Sequence, residues 1–373
     1  MKIDRNKMNT EEKTMLELHA LYQQFGYSRY KMGRFEEYEL YVRNKDFIPS
    51  ESIIAFSDMN GKLMALKPDL TLSIVKNYRY VPGFVQKVYY SENIYRASQS
   101  AHSHKEIMQT GLECMGDIDL FQIFEVTLLA ARSLAAISSD YVLEMSHMGL
   151  LADLLHPLDE EIRSEIVRCI GEKNIHGIKA IGHAYDIDEN IIESLEILVS
   201  TYGEYKKVIK KLKDLPLSEN GMAALKELQD VCSLLSTSKR GYKINVDFSI
   251  VNDMNYYSGF VFKGFVKGIP TSILSGGQYD KLMGRMGKEG GAIGFGVYLD
   301  YLDRLDVSEK EYDVDVVFLY DDDDDMGEVY RAAKEIRSGG ETVTVEKAVP
   351  KKLVAKRFVR LKGGEVVTVG QDD

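Results

Sequence analysis

The chain has 373 residues, 45% of them hydrophobic, and a formal net charge of −11. This predicts one large domain with a substantial core plus one or two smaller units. The negative charge argues against nucleic acid as the main partner. No run approaches the roughly 18 apolar residues that span a bilayer. The N-terminus has no signal-peptide pattern, and three scattered cysteines are typical of reduced thiols in the cytoplasm.

The first 145 residues predict helices alternating with paired strands. Asn9 and Glu12 have the spacing of a helix capping box, and Asn60-Gly61 between apolar runs is typical of a hairpin turn. The predicted elements are a helix from 9 to 26, a hairpin over 52–67, a helix from Pro68, strands at 84–96 and 107–115 around a polar loop, an apolar helix at 119–137 and a strand at 141–145.

The middle of the chain, about residues 149–240, is rich in Leu, Ile, Lys and Glu and predicts an inserted helical subdomain. Strands then return at 242–248 and 259–266. We therefore predict an α+β fold for residues 1–310, with an antiparallel sheet flanked by helices. Residues 311–373 predict a small C-terminal α/β domain. Its expected elements are a strand at 314–320, a helix at 326–338, a strand at 342–346, a helix at 351–361 and a strand at 366–369.

Two charged or polar clusters raise the question of metal binding. The five aspartates at 321–325 are typical either of a solvated loop that favours a helix N-terminus or of a metal site. His102 and His104 form a His-x-His pattern in a polar loop, but no third or fourth ligand follows in the sequence. We predict no metal site and no cofactor.

Four segments carry polar side chains that could bind a ligand or take part in catalysis. Each alone is typical of a structural role, such as helix capping or a buried tyrosine with a satisfied hydroxyl. The residues are Asp69 and Thr71 at a helix start, Arg96 at a strand end, Gln109 and Glu113 on one face of a strand, and Tyr256, Tyr257 and Tyr279.

Together, these segments resemble the catalytic core of histidyl-tRNA synthetase, a class II synthetase, over about residues 11–302. "LKPDLT" resembles Leu-Arg-Pro-Glu-x-Thr, and "IYRASQS…IMQTGLECMG" resembles the second class II motif with its Arg and Gln-x-x-x-Glu. "NYYSGFVF" resembles part of a histidine-specific motif, "GGQYDKL" resembles Gly-Gly-Arg-Tyr-Asp-x-Leu, and "GFGVYLDYL" resembles the third motif.

The resemblance implies a class II-type fold and a polar pocket for histidine. The matching residues are Asp69, Thr71 and Gln109 for the α-amino group, Glu113 and Tyr257 for the imidazole nitrogens, and Arg96, Tyr256 and Tyr279 around them. Their chemistry fits such a ligand. An ammonium needs acceptors, and the two distinct ring nitrogens are best recognised by one group each.

The cations that the resemblance would place around ATP are missing. Asn252 and Tyr301 stand where the enzymes have arginines, and Ser98 stands where they have a glutamate. Ser103 and Lys105 replace an Arg-x-Arg pair. Each preorganised donor lost at developing charge costs about 2.7–4 kcal/mol. We therefore predict that histidine binding has been kept and that aminoacylation has been lost, so the protein has no catalytic residues.

This combination resembles a paralogous family, the regulatory subunits of ATP phosphoribosyltransferase in histidine biosynthesis. The resemblance implies a dimer within a hetero-oligomer, a short-form catalytic subunit as partner, and allosteric feedback by bound histidine. Two alternatives are an active histidine-tRNA ligase with divergent arginines and a synthetase-like module that binds tRNA or another amino acid. Residues 311–373 resemble a truncated anticodon-binding domain, which argues against the ligase.

Overall fold

The computed structural model describes residues 8–45, 47, 53–98, 103–238, 241–250, 256–304, 312–349 and 351–370. The chain divides into two compact units, residues 1–305 and 306–373, and each is described by itself.

The larger unit contains eleven strands and eleven helices among its described residues. The strands are β1 (Ser28–Arg29), β2 (Phe35–Glu37), β3 (Ala55–Ser57), β4 (Leu63–Leu66), β5 (Gln86–Ser98), β6 (Ser103–Gly116), β7 (Tyr141–His147), β8 (Ile244–Val246), β9 (Phe260–Val266), β10 (Leu274–Gln278) and β11 (Gly291–Tyr298). The helices are α1 (Thr10–Gln24), α2 (Tyr38–Arg43), α3 (Thr71–Asn77), α4 (Leu120–Ile137), α5 (Met148–Leu155), α6 (Glu160–Gly171), α7 (Ile175–Ala184), α8 (Glu189–Ser200), α9 (Tyr205–Leu212), α10 (Glu219–Ser236) and α11 (Asp280–Arg285).

The central sheet has eight strands in the order β1-β5-β6-β11-β10-β9-β7-β8. The six inner strands pair antiparallel, as predicted, whereas β1 and β8 join the two edges in parallel. β5 and β6 form a ribbon that runs from Gln86 opposite Met115 to Ser98 opposite Ser103. The strands therefore extend into the segment predicted as a polar loop. A separate antiparallel sheet, β2-β4-β3, contains the predicted hairpin.

The two faces of the central sheet bury different groups, because successive strand residues point to opposite sides. On β6, Leu112 and Cys114 belong to the main core, which also includes α1, α4 and the helical insertion. Glu113 lies between them in sequence and is also buried. A second core packs on the other side around Tyr41, Tyr90 and α3. The polar site lies on this second face.

Helix α4 is long and strongly apolar. By length and composition alone it could cross a membrane, although Glu125 and Arg132 interrupt its apolar residues. Half of its 18 residues are buried, and its side chains Ile123, Val126 and Leu129 lie in the main core. Packing against the sheet therefore accounts for its composition. Helices α5 to α10 follow β7 and occupy the segment predicted as a helical insertion.

Helix α3 begins three residues later than predicted. Pro68 and Asp69 precede it, and the Asp69 carboxylate accepts a hydrogen bond from the Leu72 backbone N–H at 2.9 Å. A carboxylate at this position satisfies one of the free donors of the first turn. The aspartate therefore connects the segment before α3 to the first turn of the helix.

The smaller unit has four strands and one helix among its described residues. These are β12 (Val314–Leu319), α12 (Met326–Ser338), β13 (Val343–Glu346), β14 (Ala355–Lys362) and β15 (Glu365–Val369), in the sheet order β13-β12-β14-β15. Asp325 caps α12 by accepting from the Gly327 and Glu328 N–H groups. Asp321 and Asp322 form ion pairs with Arg360 and Lys347. These three aspartates therefore have structural roles.

The helix predicted at 351–361 is wrong, since this segment contains strand β14. Its apolar residues fit helical spacing, but Phe358 and Val359 lie in clusters on opposite faces of the sheet, as alternating strand residues do. Gly363 and Gly364 both have positive φ and connect β14 to β15 in a tight hairpin. The Gly-Gly pair between two apolar runs was the signal for a strand.

Candidate functional site

A cavity of about 320 Å³ lies on the second face of the central sheet. We call it the main cavity. It is lined by all eight predicted site residues, Asp69, Thr71, Arg96, Gln109, Glu113, Tyr256, Tyr257 and Tyr279, and also by Phe47, Tyr90, Ser275, Gly276, Gly294, Phe295, Gly296 and Tyr298. Its volume is at the lower end of the range of small-ligand pockets, about 300–1,000 Å³.

Glu113 forms the centre of the deep end of this cavity. Its side chain is buried, with Oε1 accepting from the Thr71 hydroxyl at 3.0 Å and Oε2 from the Tyr279 hydroxyl at 2.5 Å. These two donors lie 42 and 166 residues away in the chain. The tertiary fold therefore fixes the carboxyl group from two sides. The sequence predicted Tyr257 as the partner of Glu113 in holding a ligand, whereas Tyr279 bonds to Glu113 directly.

Glycines on β11 provide the space for the polar side chains of β6. Gly294 lies opposite Glu113 in the strand register. A Cβ atom at residue 294 would be 1.7 Å from Glu113 Oε2, and one at residue 296 would be 1.7 Å from Gln109 Nε2. A side chain at either position would therefore displace a cavity residue. The segment "GAIGFG" is therefore a strand that supports the site.

Asp69 and Thr71 enter the cavity from the start of α3. From the sequence, Asp69 could be either a helix-capping residue or a site residue. It is both, since its carboxylate accepts from the Leu72 N–H and it also lines the cavity. Arg96, near the end of β5, donates from Nε to the Pro68 carbonyl oxygen at 3.0 Å. This bond links the second motif to the segment that carries Asp69.

Gln109 lies two strand positions from Gly111 on the cavity face of β6, and its Nε2 donates to the Tyr90 hydroxyl at 3.4 Å. Tyr90 was not predicted as a site residue. It lies opposite Gly111 in the β5–β6 register. Ser275 and Tyr298 were also missed. Strand periodicity places them on one face, but only the pairing of β10, β11 and β6 brings them beside Gln109 and Glu113.

Aromatic rings form one wall of the cavity. The ring of Tyr256 packs edge-on against Tyr257, with centroids 4.6 Å apart, and lies 6.2 Å from that of Tyr279. The ring centroid of Phe47 lies 5.5 Å from that of Tyr256. These edge-to-face contacts hold rigid, amphipathic side chains against the polar floor.

Burial controls the protonation of the deep end. It raises the pKa of Glu113 to about 8, and the nearby Asp69 carboxylate raises this pKa further, while the Tyr279 and Thr71 hydroxyls oppose the shift. Burial also raises the pKa of Asp69, and the bond from Leu72 N–H and the charge of Arg96 oppose this. Glu113 is therefore mostly protonated near neutral pH.

The family resemblance places arginines at several positions that hold other residues in this chain. Tyr301 is partly buried against the main core, and its ring lies 6.1 Å from that of Tyr298, which lines the cavity. Lys105 is exposed on β6. Asn252 and His102 lie outside the described residues. Arg96 is the only cationic residue among the described residues that line the main cavity.

Within the described ranges, no group of three or more His, Cys, Asp or Glu residues has the arrangement of a metal site. His147, outside the cavity, caps α5 by accepting from Gly149 N–H on Nδ1, and its Nε2 lies 2.9 Å from Glu227. All three cysteines are buried free thiols. The polar groups of the site are therefore carboxyl, hydroxyl, amide and guanidinium groups, which can form hydrogen bonds with a small polar molecule.

Comparison with known proteins gives a consistent result. The family model described as Histidyl-tRNA synthetase matches residues 3–302. The chain is 27% identical to the ATP phosphoribosyltransferase regulatory subunit of Oceanobacillus iheyensis over 283 residues, covering 74% of this chain and 69% of the relative. It is 28% identical to that of Alkaliphilus metalliredigens over 284 residues, covering 74% and 72%.

A solved structure from Bacillus halodurans, described as an ATP phosphoribosyltransferase regulatory subunit/histidyl-tRNA synthetase, superposes with a TM-score of 0.76. It is 25% identical, and the match covers 90% of this chain and 88% of that one. The predicted class II synthetase-like fold is confirmed, as is the predicted resemblance to these regulatory subunits.

Proposed function

We propose that this chain, which belongs to the histidyl-tRNA synthetase family, is a non-catalytic regulatory subunit of an ATP phosphoribosyltransferase and binds free L-histidine in its main cavity. The observation that carries the binding proposal is the arrangement of Asp69, Thr71 and Glu113 around one buried space. It joins acceptors for an ammonium group to a protonatable carboxyl group for an imidazole.

Each part of a histidine molecule has a complementary group in the cavity. The α-amino group would lie near the Asp69 carboxylate, the Thr71 hydroxyl and the Gln109 amide oxygen, since an ammonium donates three hydrogen bonds. The imidazole would lie at the deep end, where Glu113 would form a hydrogen bond with one ring nitrogen and Tyr257 would contact the other. Charge-assisted bonds in such a buried space are stronger than those between neutral groups.

The same cavity has little means of stabilising a reaction of ATP. Activation of an amino acid spreads negative charge over phosphate oxygens, and catalysis rests mainly on cations held in place. Arg96 is the only cationic residue among the described residues that line the cavity, and its Nε already donates to the Pro68 carbonyl oxygen. Beside the cavity, Tyr301 packs its ring against Tyr298 and supplies no cation.

The proposal includes a partner and a location. We expect a cytoplasmic hetero-oligomer, built on a dimer of this chain, in which the subunit supports a short-form catalytic subunit in the first step of histidine biosynthesis. Histidine would then act as a feedback inhibitor if it binds one conformation better than the other. A difference of about 1–3 kcal/mol is typical of allosteric coupling.

The test measures binding and chemistry separately. We expect calorimetry to detect L-histidine binding to the purified protein, and we expect no histidine-dependent exchange of pyrophosphate into ATP. Glu113→Ala should weaken histidine binding at least 100-fold, because it removes the acceptor for Thr71, Tyr279 and the ligand together. Unchanged affinity in this variant would mean that the ligand lies elsewhere.

The matched control is Glu106→Ala. Glu106 lies on the same strand but is exposed, and it bonds to Tyr95 outside the main cavity. Histidine affinity should stay within twofold. Robust pyrophosphate exchange by the unmodified protein would overturn the proposal in favour of a histidine-tRNA ligase. Copurification with the short catalytic subunit tests the partner.

A further inference from the structure

A second pocket adjoins the main cavity on the same face of the sheet. We call it the side pocket. It has a volume of about 200 Å³ and shares Tyr257, Ser275, Gly276 and Tyr298 with the main cavity. Its own lining residues are Ile250, Val261, Phe262, Lys263 and Ser272. The cavity therefore continues along the sheet, past Tyr257, to a lysine that the predicted histidine site does not use.

The strand register explains how Lys263 reaches this place. Lys263 on β9 lies opposite Ser275 on β10, and Ser275 lies opposite Gly296 on β11. Paired residues project from the same face of a sheet. The side chains of Lys263 and Ser275 therefore lie on the face that carries Glu113, and Lys263 is three strands away from Glu113. At about 4.8 Å per strand, the two backbone positions are separated by about 14 Å or more.

The ammonium group of Lys263 forms no hydrogen bond or ion pair with a residue in the described part of the chain. Glu144 on β7 lies opposite it in the register and is its nearest carboxylate influence, but it does not reach ion-pair distance. Burial lowers the pKa of Lys263, and the charge of Glu144 opposes that shift. A partly buried lysine without a close partner is costly unless a ligand compensates for its lost hydration.

The groups beside Lys263 have the chemistry of an anion site. An ammonium offers three donors, and the hydroxyls of Ser272 and Ser275 offer one each. Bonds between a cationic donor and a charged oxygen are short and strong. We propose that Lys263, Ser272 and Ser275 form a subsite for an oxyanion, a phosphate or carboxylate group, next to the main cavity.

The oxyanion has two possible sources, a separate phosphate-bearing molecule or the α-carboxylate of the amino acid in the main cavity. The second source rests on the proposed function. A phosphate-bearing ligand would give this subunit a way to sense a phosphorylated metabolite together with an amino acid, because the two spaces share the Tyr257 and Tyr298 side chains.

The experiment is calorimetric titration of the full chain and its Lys263→Met variant with inorganic phosphate, L-histidine and histamine. If the oxyanion is a separate phosphate, phosphate affinity falls at least tenfold in Lys263→Met while histidine affinity is unchanged. If it is the α-carboxylate, histidine affinity falls at least tenfold while that of histamine, which has no carboxylate, is unchanged. Lys263→Arg should retain the binding in either case.

The control is Lys267→Met. Lys267 carries the same charge four residues further along, and its side chain is 81% exposed beside Asp140. It should leave all three affinities unchanged. If Lys263→Met folds and alters neither phosphate nor histidine binding, the subsite does not exist. The phosphate titration needs no histidine. If the unmodified protein fails to bind histidine, the proposed function is overturned, and the phosphate titration still tests the oxyanion subsite.

Discussion

The deep and outer ends of the main cavity are built differently. At the deep end, Glu113 is buried and accepts from both Thr71 and Tyr279. At the outer end, Tyr298 lines the cavity at the C-terminal end of β11, and the ring of Tyr301, where the family resemblance would place a cation, packs against it. The deep end is a network that depends on several residues at once, whereas the outer end differs from the family pattern in single charged residues.

The difference has a physical basis. A buried network is costly to leave partly satisfied, so its members stay together or are replaced together. A cation that stabilises a transition state contributes little to folding, and it can be lost while the fold remains. Replacing residues at each end should therefore produce effects of very different size.

The largest effect is expected from Gly294→Ala. The new Cβ atom would lie 1.7 Å from Glu113 Oε2 and 2.5 Å from the Leu112 carbonyl oxygen, so the strand or the carboxyl group must move. We expect a loss of a few kcal/mol in the free energy of unfolding, as for other overpacked sites, and at least a 100-fold loss of histidine affinity. Chemical denaturation and calorimetry measure the two quantities.

Gly284→Ala is the matched control for this substitution. Gly284 lies in α11, and no atom lies within 4 Å of the position of its Cβ. The added methyl group should leave stability unchanged or raise it, since alanine favours a helix by about 1 kcal/mol over glycine. A Gly294→Ala protein as stable and as tight-binding as Gly284→Ala would mean that the deep end is not tightly packed.

A moderate effect is expected from Glu113→Gln, and it should depend on pH. With its pKa raised to about 8, Glu113 holds the proton that it would share with a neutral imidazole. Above about pH 8, Glu113 in the ligand-free protein is mostly ionised, so histidine binding requires the uptake of a proton and becomes weaker. Below about pH 6.5 the free imidazole is protonated, and binding must release one. Histidine affinity should therefore be highest between these values.

The glutamine variant has no carboxyl group to titrate, so it should lose the fall in affinity that begins near pH 8 and keep the fall below about pH 6.5. The α-amino group of histidine titrates equally with both proteins, and the ratio of their affinities isolates Glu113. We expect this ratio to change about tenfold between pH 7 and pH 9 in a calorimetric series. A constant ratio would show that Glu113 does not share a proton with the ligand.

The smallest effect is expected from Tyr301→Arg. Its ring contacts Tyr298 and the edge of the core. One added cation cannot replace the several that the enzymes of the family use, so we expect no measurable pyrophosphate exchange. Histidine affinity should stay within twofold. If this single change restored pyrophosphate exchange, the outer end would need only one added cation to support the reaction.

The sequence by itself determined the local features of the site. Gln109 and Glu113, four residues apart on a strand, were correctly expected on one face, because side chains of a strand alternate with a period of two. The eight predicted site residues line one cavity. Their roles toward histidine stay a prediction, and so do the domain boundaries and the identity of the C-terminal unit as a truncated anticodon-binding domain.

Only the tertiary structure decided which residues meet. Tyr279 bonds to Glu113 across 166 residues, and Gly294 provides space for that carboxyl group only because β11 pairs with β6. Segment 351–361 fits both helical and strand spacing, and its pairing with β12 and β15 selected the strand. Local periodicity constrains the direction of a side chain, whereas its neighbour depends on strand order and register, which are set by contacts distant in sequence.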